Sequence, residues 1–287
     1  MPYRVAEVVI SADGRRAAVA VDSTVQIWDL ERGTCLARVE STFLLGGRRL
    51  AISGDGAVFV TAGWSGGLHS GVACYDAVGG RTLWQRADLV ETHRVSFSAL
   101  QDSIWCTRER APALRLDRAT GKTVEQLNGI MKVVESRVSR LRLLERRGGG
   151  YVLEAEDRVL LPRESFALFD AACGTDAVCI AEPIAPARCF DVTGKERWRA
   201  GQLGRVWFSA VHDVFFAMSN FPDGRNILLA LDPATGASNE LLTLQTSIVD
   251  VAPDGDRLIT GQGELYRLTD ARLLSRLPFP TTIPSSD

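Results

Sequence analysis

The chain has 287 residues, 46% hydrophobic and 24% charged, the composition of an ordinary folded protein rather than a disordered or fibrous one. Its formal net charge of −2 argues against general nucleic-acid binding, which calls for a basic surface. A chain of this length can bury about 75% of its unfolded surface, so it needs no disulfide or metal staple.

Met1-Pro2-Tyr3-Arg4 leads straight into strand-forming residues, with no apolar signal core, and no run is long enough to span a bilayer. A cytoplasmic protein without a membrane anchor is the expectation. The first unit, 8–40, holds four short strand-like runs separated by three turn signals. Val8, Val9 and Ile10 are β-formers, and Asp13-Gly14 is a hairpin signal. Ala17 to Val21 is small and apolar, fit for a strand crowded on both faces. Asp22-Ser23 turns the chain, Val25 to Asp29 follows, Asp29 to Gly33 turns again, and Cys35 to Val39 returns as an outer strand. Related units recur to the C-terminus with a period of roughly 40 residues, the spacing of propeller blades.

Val25-Gln26-Ile27-Trp28-Asp29 resembles the closing signature of a WD40 repeat, although the Gly-His dipeptide that opens that family's repeat is missing. The second unit, 48–86, ends in Asp76-Ala77-Val78-Gly79-Gly80 and Thr82-Leu83-Trp84-Gln85. That ending, like Asp191-Val192-Thr193-Gly194-Lys195-Glu196-Arg197-Trp198, resembles the repeat of pyrroloquinoline-quinone-type propellers. The resemblance covers blade ends. It implies the fold and not the quinone, and no cofactor is expected.

The third unit spans 93–127, with Asp117 to Gly121 as its turn; the fifth, sixth and seventh span 165–200, 204–244 and 246–278. In the seventh, Asp270 stands at the last turn without the glycine. The stretch 129–163 is the weak one. Val134, Val138, Leu141 and Leu144 recur at helical spacing, yet Tyr151-Val152-Leu153 and Val159-Leu160-Leu161 read as strands. A degenerate blade is favoured, and a helical insertion in a six-bladed ring is the alternative. The expectation is thus an all-β chain, 1–287: one seven-bladed propeller of four-stranded antiparallel blades, about 28 strands in all, with an extension at 279–287. The first unit begins with an inner strand and the last ends with an outer one, so the strand exchange that usually clasps such rings is expected to be absent.

The six cysteines, Cys35, Cys74, Cys106, Cys173, Cys179 and Cys189, form no C-x-x-C pair and sit mostly in strand patterns, as reduced small hydrophobes.

In propellers of the resembled kind, the first-to-second and third-to-fourth turns share one face. Here those turns are short and alike. The second-to-third loops and inter-blade links occupy the other face and vary, and loops on a rigid scaffold are where binding resides. Three candidate loops stand out: 63–71, which is Gly-rich and carries Trp64 and His69; 220–225, with Phe221; and 42–47, with Phe43, Leu44 and Leu45, read as packing between blades. Trp64 is an interface anchor or else folds back over its blade. Arg48, Arg49, Arg108, Arg110, Arg146 and Arg147 cluster in loops of units two to four. Guanidinium forks there suit an acidic partner surface, against the alternative of scattered solvated charge.

His69, His93 and His212 lie in three different units, and no H-E-x-x-H, G-x-S-x-G or phosphate-loop motif occurs. No catalytic or metal-ligating set is therefore assigned. The expected function is a non-enzymatic protein–protein interaction propeller, a bacterial scaffold or a neutraliser of its partner. The expected interface is Trp64, His69, Arg108, Arg110, Arg146, Arg147 and Phe221. The enzymatic alternative is a metal-dependent hydrolase or lactonase with a central-channel site, for which Glu91, Asn128 and Gln202 are the candidates.

Overall fold

A computed structural model describes residues 5–21, 24–41, 49–63, 70–98, 102–136, 138–155, 158–161, 170–182, 185–220, 225–245, 248–252 and 256–278. These form seven four-stranded antiparallel sheets, each built from four consecutive strands. The sheets, or blades, occupy 5–40, 50–86, 92–127, 130–160, 170–199, 206–244 and 248–276. They ring a central axis as a seven-bladed β-propeller, with the first strand of each blade innermost.

The composition of each strand follows its radius. Second strands such as Arg16–Val21 and Val58–Gly63 are buried along nearly their whole length, because both faces meet a neighbouring blade. Small residues suit that crowding: Ala17, Ala18, Val19 and Ala20 expose no surface. Side chains of a strand alternate between faces, so Ala17 and Val19 pack toward blade 7 while Ala18 and Ala20 pack toward blade 2. Outermost strands such as Thr82–Arg86 and Thr123–Leu127 are largely exposed.

The core is therefore distributed. Seven apolar clusters lie one at each junction between neighbouring blades, and each draws its buried residues from just those two blades. At the junction of blades 1 and 2, Phe59 and Tyr75 stack with ring centroids 4.9 Å apart, beneath Ile27 and Leu50.

The stretch that mixes helical and strand signals is a blade. Ile130–Glu135, Arg142–Arg146, Tyr151–Glu154 and Arg158–Leu160 pair in order, so Leu141, Leu143 and Leu144 serve a sheet. The helical spacing was accidental, because both faces of this blade are buried and demand apolar residues on each. At the seventh blade's last turn, where glycine is missing, Ala271 itself adopts φ 53°. Five of the cysteines are buried and Cys35 is half-buried; all are free thiols. Burial pushes the Cys106 and Cys173 thiols up to about 12.

Blade junctions carry a second, polar layer. Trp84, in the outermost strand of blade 2, lies over the turn glycine of blade 3. A Cβ at Gly121 would sit 2.7 Å from its ring. The Trp84 indole N–H donates to the Arg118 carbonyl at 2.7 Å, and Arg86 donates to the Gly121 carbonyl at 2.8 Å. Trp198 repeats the arrangement over Gly236, again at 2.7 Å, and donates to the Pro233 carbonyl at 3.1 Å.

No strand exchange joins blade 7 to blade 1 among the described strands. Side chains close the ring instead. The Asp250 carboxylate accepts the Ile10 N–H at 2.9 Å, and Arg257 donates to the Gly14 carbonyl at 2.9 Å. Beneath them Ala252, Ile259 and Leu265 pack on Val8, Ile10 and Ala17.

Candidate functional site

Two regions have the geometry of a site: the face carrying the second-to-third loops, and the channel on the axis.

On the loop face, the second-to-third links of blades 3 and 4 are residues 109–112 and 147–150, between neighbouring equivalent hairpins. Arg147 crosses from one to the other, donating to the Arg110 carbonyl at 3.1 Å and the Ala111 carbonyl at 3.2 Å. Arg108 donates to the Pro112 carbonyl at 3.2 Å and so braces its own loop. Arg110, Arg146 and Arg147 are exposed and Arg108 is half-buried. Four sequence-picked arginines thus gather on two adjacent loops. Gly148, Gly149 and Gly150 all have positive φ, which lets the blade 4 hairpin turn tightly beside them. Trp64, His69, Phe221, Arg48 and the 43–45 stretch lie outside the described residues.

The channel is lined by the innermost strand or its leading residue from every blade and encloses a cavity of ≈ 230 Å³. Its levels can be compared between blades because each inner strand ends at an equivalent residue. The N–H groups of Ser11, Ser53, Ser98 and Ser136 close the first turn onto Arg16, Val58, Ser103 and Leu141 carbonyls at 2.8–3.0 Å. Gly174 and Ala252 do the same in blades 5 and 7. Four positions earlier, at the loop-face end, blades 1 to 6 carry Glu7, Arg49, Arg94, Lys132, Asp170 and Arg205.

The channel carboxylates bind their neighbours. Glu7 accepts the Arg49 and Leu50 N–H groups of blade 2 at 2.9 and 3.1 Å. Asp170 accepts the Val206 N–H of blade 6 at 3.2 Å. Asp250 accepts the Trp207 indole at 3.1 Å as well as Ile10, and Glu135 accepts the Trp105 indole at 2.8 Å. An ionised carboxylate is the acceptor best suited to such buried N–H donors. These residues were not singled out by sequence reasoning. Their signal was present: a charged residue one, two or four places before the turn residue, inside an otherwise apolar strand.

The residues considered for an enzymatic centre fall elsewhere. Glu91, Asn128 and Gln202 are absent from the channel lining, and Asn128 and Gln202 are exposed. Glu91 adopts φ 57° in the turn before its strand. They belong to inter-blade links, which pass outside the inner strands. Among the described residues no three His, Cys, Asp or Glu side chains are grouped to hold a metal ion, and no helix is long and apolar enough to cross a membrane.

No family model matches the chain, and no curated protein matches it. Solved structures do. The computationally designed Ika8 protein superposes with TM-score 0.65 at 15% identity, covering 98% of this chain and 89% of that one. The WD40 repeats of RRP9 give TM-score 0.65 at 14% identity, with 94% and 92% covered. BamB from Moraxella catarrhalis gives 0.57 at 14% identity, with 96% and 90% covered. At these identities the likeness is one of fold: the chain is a propeller similar to both the WD40 kind and the BamB kind.

Proposed function

We propose that this seven-bladed propeller is a non-enzymatic interaction module that binds another protein on its loop face, as a scaffold or a neutraliser, in the cytoplasm. The observation that carries this reading is the arginine ridge over blades 3 and 4, where Arg147 bonds the neighbouring loop at 3.1 and 3.2 Å. A guanidinium is a planar, permanently charged fork that matches carboxylates, so the ridge suits an acidic partner surface. Trp64, His69 and Phe221 complete the proposed contact with aromatic and imidazole groups. The similarity to WD40 and BamB propellers supports a binding role without specifying a partner.

The test is affinity capture from the native cell followed by binding kinetics with the captured partner. Arg146→Ala combined with Arg147→Ala is expected to slow association severalfold at low salt, with the difference shrinking as salt rises. Trp64→Ala is expected to speed dissociation about tenfold or more, the effect of losing an aromatic anchor. Unchanged kinetics in both variants would overturn the assignment of this face.

A further inference from the structure

The cavity on the axis changes character with depth. At its mouth, on the loop face, stand Arg94 of blade 3 and Arg205 of blade 6, on opposite sides of the ring, with Glu7 of blade 1 and Asp170 of blade 5 at the same level, each bonded to backbone N–H groups of the next blade. Two residues deeper, Trp207 and Asp250 occupy the same level on adjacent blades, joined at 3.1 Å. One residue deeper again lie Glu135 and Phe208. No Lys, Arg or His occupies either deeper level in any of the seven blades. One step of two residues along a strand is about 7 Å. The two arginines of the mouth are therefore followed, about 7 Å inward, by a carboxylate beside an indole.

We propose that this channel is a binding site for a primary ammonium carried about 7 Å from a carboxylate. The ammonium would sit at Asp250, beside Trp207, where a half-buried carboxylate favours a cation. The ligand's carboxylate would pair with Arg94 and Arg205 at the mouth, where guanidinium forks fit it. The cavity of ≈ 230 Å³ is smaller than a drug-sized pocket, which suits a short ligand. Two sources share this chemistry: a free ω-amino acid, and a lysine side chain ending a peptide. The site is separate from the arginine ridge of blades 3 and 4, and its test uses no partner protein, so either reading can fail alone.

The experiment is titration of the full ¹⁵N-labelled chain, following the Trp207 indole N–H, which is assigned by its loss in Trp207→Phe. The probes are 6-aminohexanoate for the free amino acid, Nα-acetyl-lysine for the peptide-borne side chain, and hexanoate and hexylamine as half-ligands. A saturable shift with 6-aminohexanoate, Nα-acetyl-lysine or both, at concentrations where the half-ligands give none, supports the site. The amino-carboxylate that binds tighter names the source. Arg94→Gln and Arg205→Gln are each expected to weaken that binding about tenfold or more, the loss of one charge-assisted hydrogen bond. Should either variant fail to fold, the comparison of four probes on the unmodified chain still decides. No saturable shift with either amino-carboxylate, equal binding by a half-ligand, or full affinity in both folded variants would overturn the proposal.

Discussion

Asp55 shows how much one turn residue holds. It sits in the first turn of blade 2, where its carboxylate accepts the Ser53 hydroxyl at 2.5 Å and the Ala57 N–H at 2.9 Å. Arg118 reaches it from blade 3 at 3.0 Å and also holds Asp102 at 2.9 Å. Partial burial pushes the Asp55 carboxyl up, but the hydrogen bonds from Ser53, Ala57 and Arg118 outweigh it and carry the group down from 3.8 to about 2. A carboxyl held low in the folded state lends stability that is complete above its unfolded value and disappears as pH falls through its folded value. Asp55 therefore stabilises the ring fully above pH 3.8 and loses that contribution on the way down to about 2. Asp55→Asn should be less stable at neutral pH and should show a flatter loss of stability across that acid window. Denaturant titrations at several pH values measure both slopes, and parallel slopes in the two proteins would exclude the effect.

Among elements, the third-to-fourth turns can be compared directly, because Gly33 and Gly121 have nearly the same φ, 64° and 69°. Nothing lies within 4 Å of a Cβ added at Gly33, whereas at Gly121 it would meet the Trp84 ring at 2.7 Å. Gly33→Ala carries only the cost of a left-handed alanine, about 1–3 kcal/mol. Gly121→Ala must also displace Trp84 and its bond to Arg118, so it should lower the urea midpoint by clearly more. Equal losses would mean that Trp84 is not docked. This contrast also marks how far the sequence was legible. The D-x-x-x-G turns, the seven-fold count and the strand pattern could be read because local chemistry sets them: Asp and Gly make turns, and β-formers alternate. That Trp84 and Trp198 reach the next blade could not, since the contact joins residues 34 and 35 positions apart through folding alone. The arginines of the loop face were legible as a cluster in sequence, whereas the channel was not, because its charges are spread one per blade around the ring.

For the whole molecule the decisive contact is the closure of blade 7 on blade 1. Other ring-forming carboxylates, Glu7 and Asp170, repeat the same device between blades 1 and 2 and between blades 5 and 6. At the closure, Asp250 holds both Ile10 and Trp207. Asp250→Ala leaves a buried N–H without its acceptor, a cost of about 1–3 kcal/mol. Hydrogen exchange should then rise first in 5–10 and 248–252, ahead of blades 3 and 4. Uniform loss of protection around the ring would show that closure is not the weak seam.

That seam also fixes an order of events during synthesis. Ile10 and Asp250 are 240 residues apart. At about 5–20 residues per second, a ribosome needs on the order of tens of seconds to make the second after the first. Throughout that interval the outward side of blade 1, with Val8, Ile10, Ala17, Val19 and Trp28, has no neighbour, because the residues that cover it have yet to emerge. The nascent chain must therefore carry one apolar, strand-rich flank until its last blade arrives. Chaperone occupancy on stalled chains should persist up to that point and fall once blade 7 has cleared the exit tunnel.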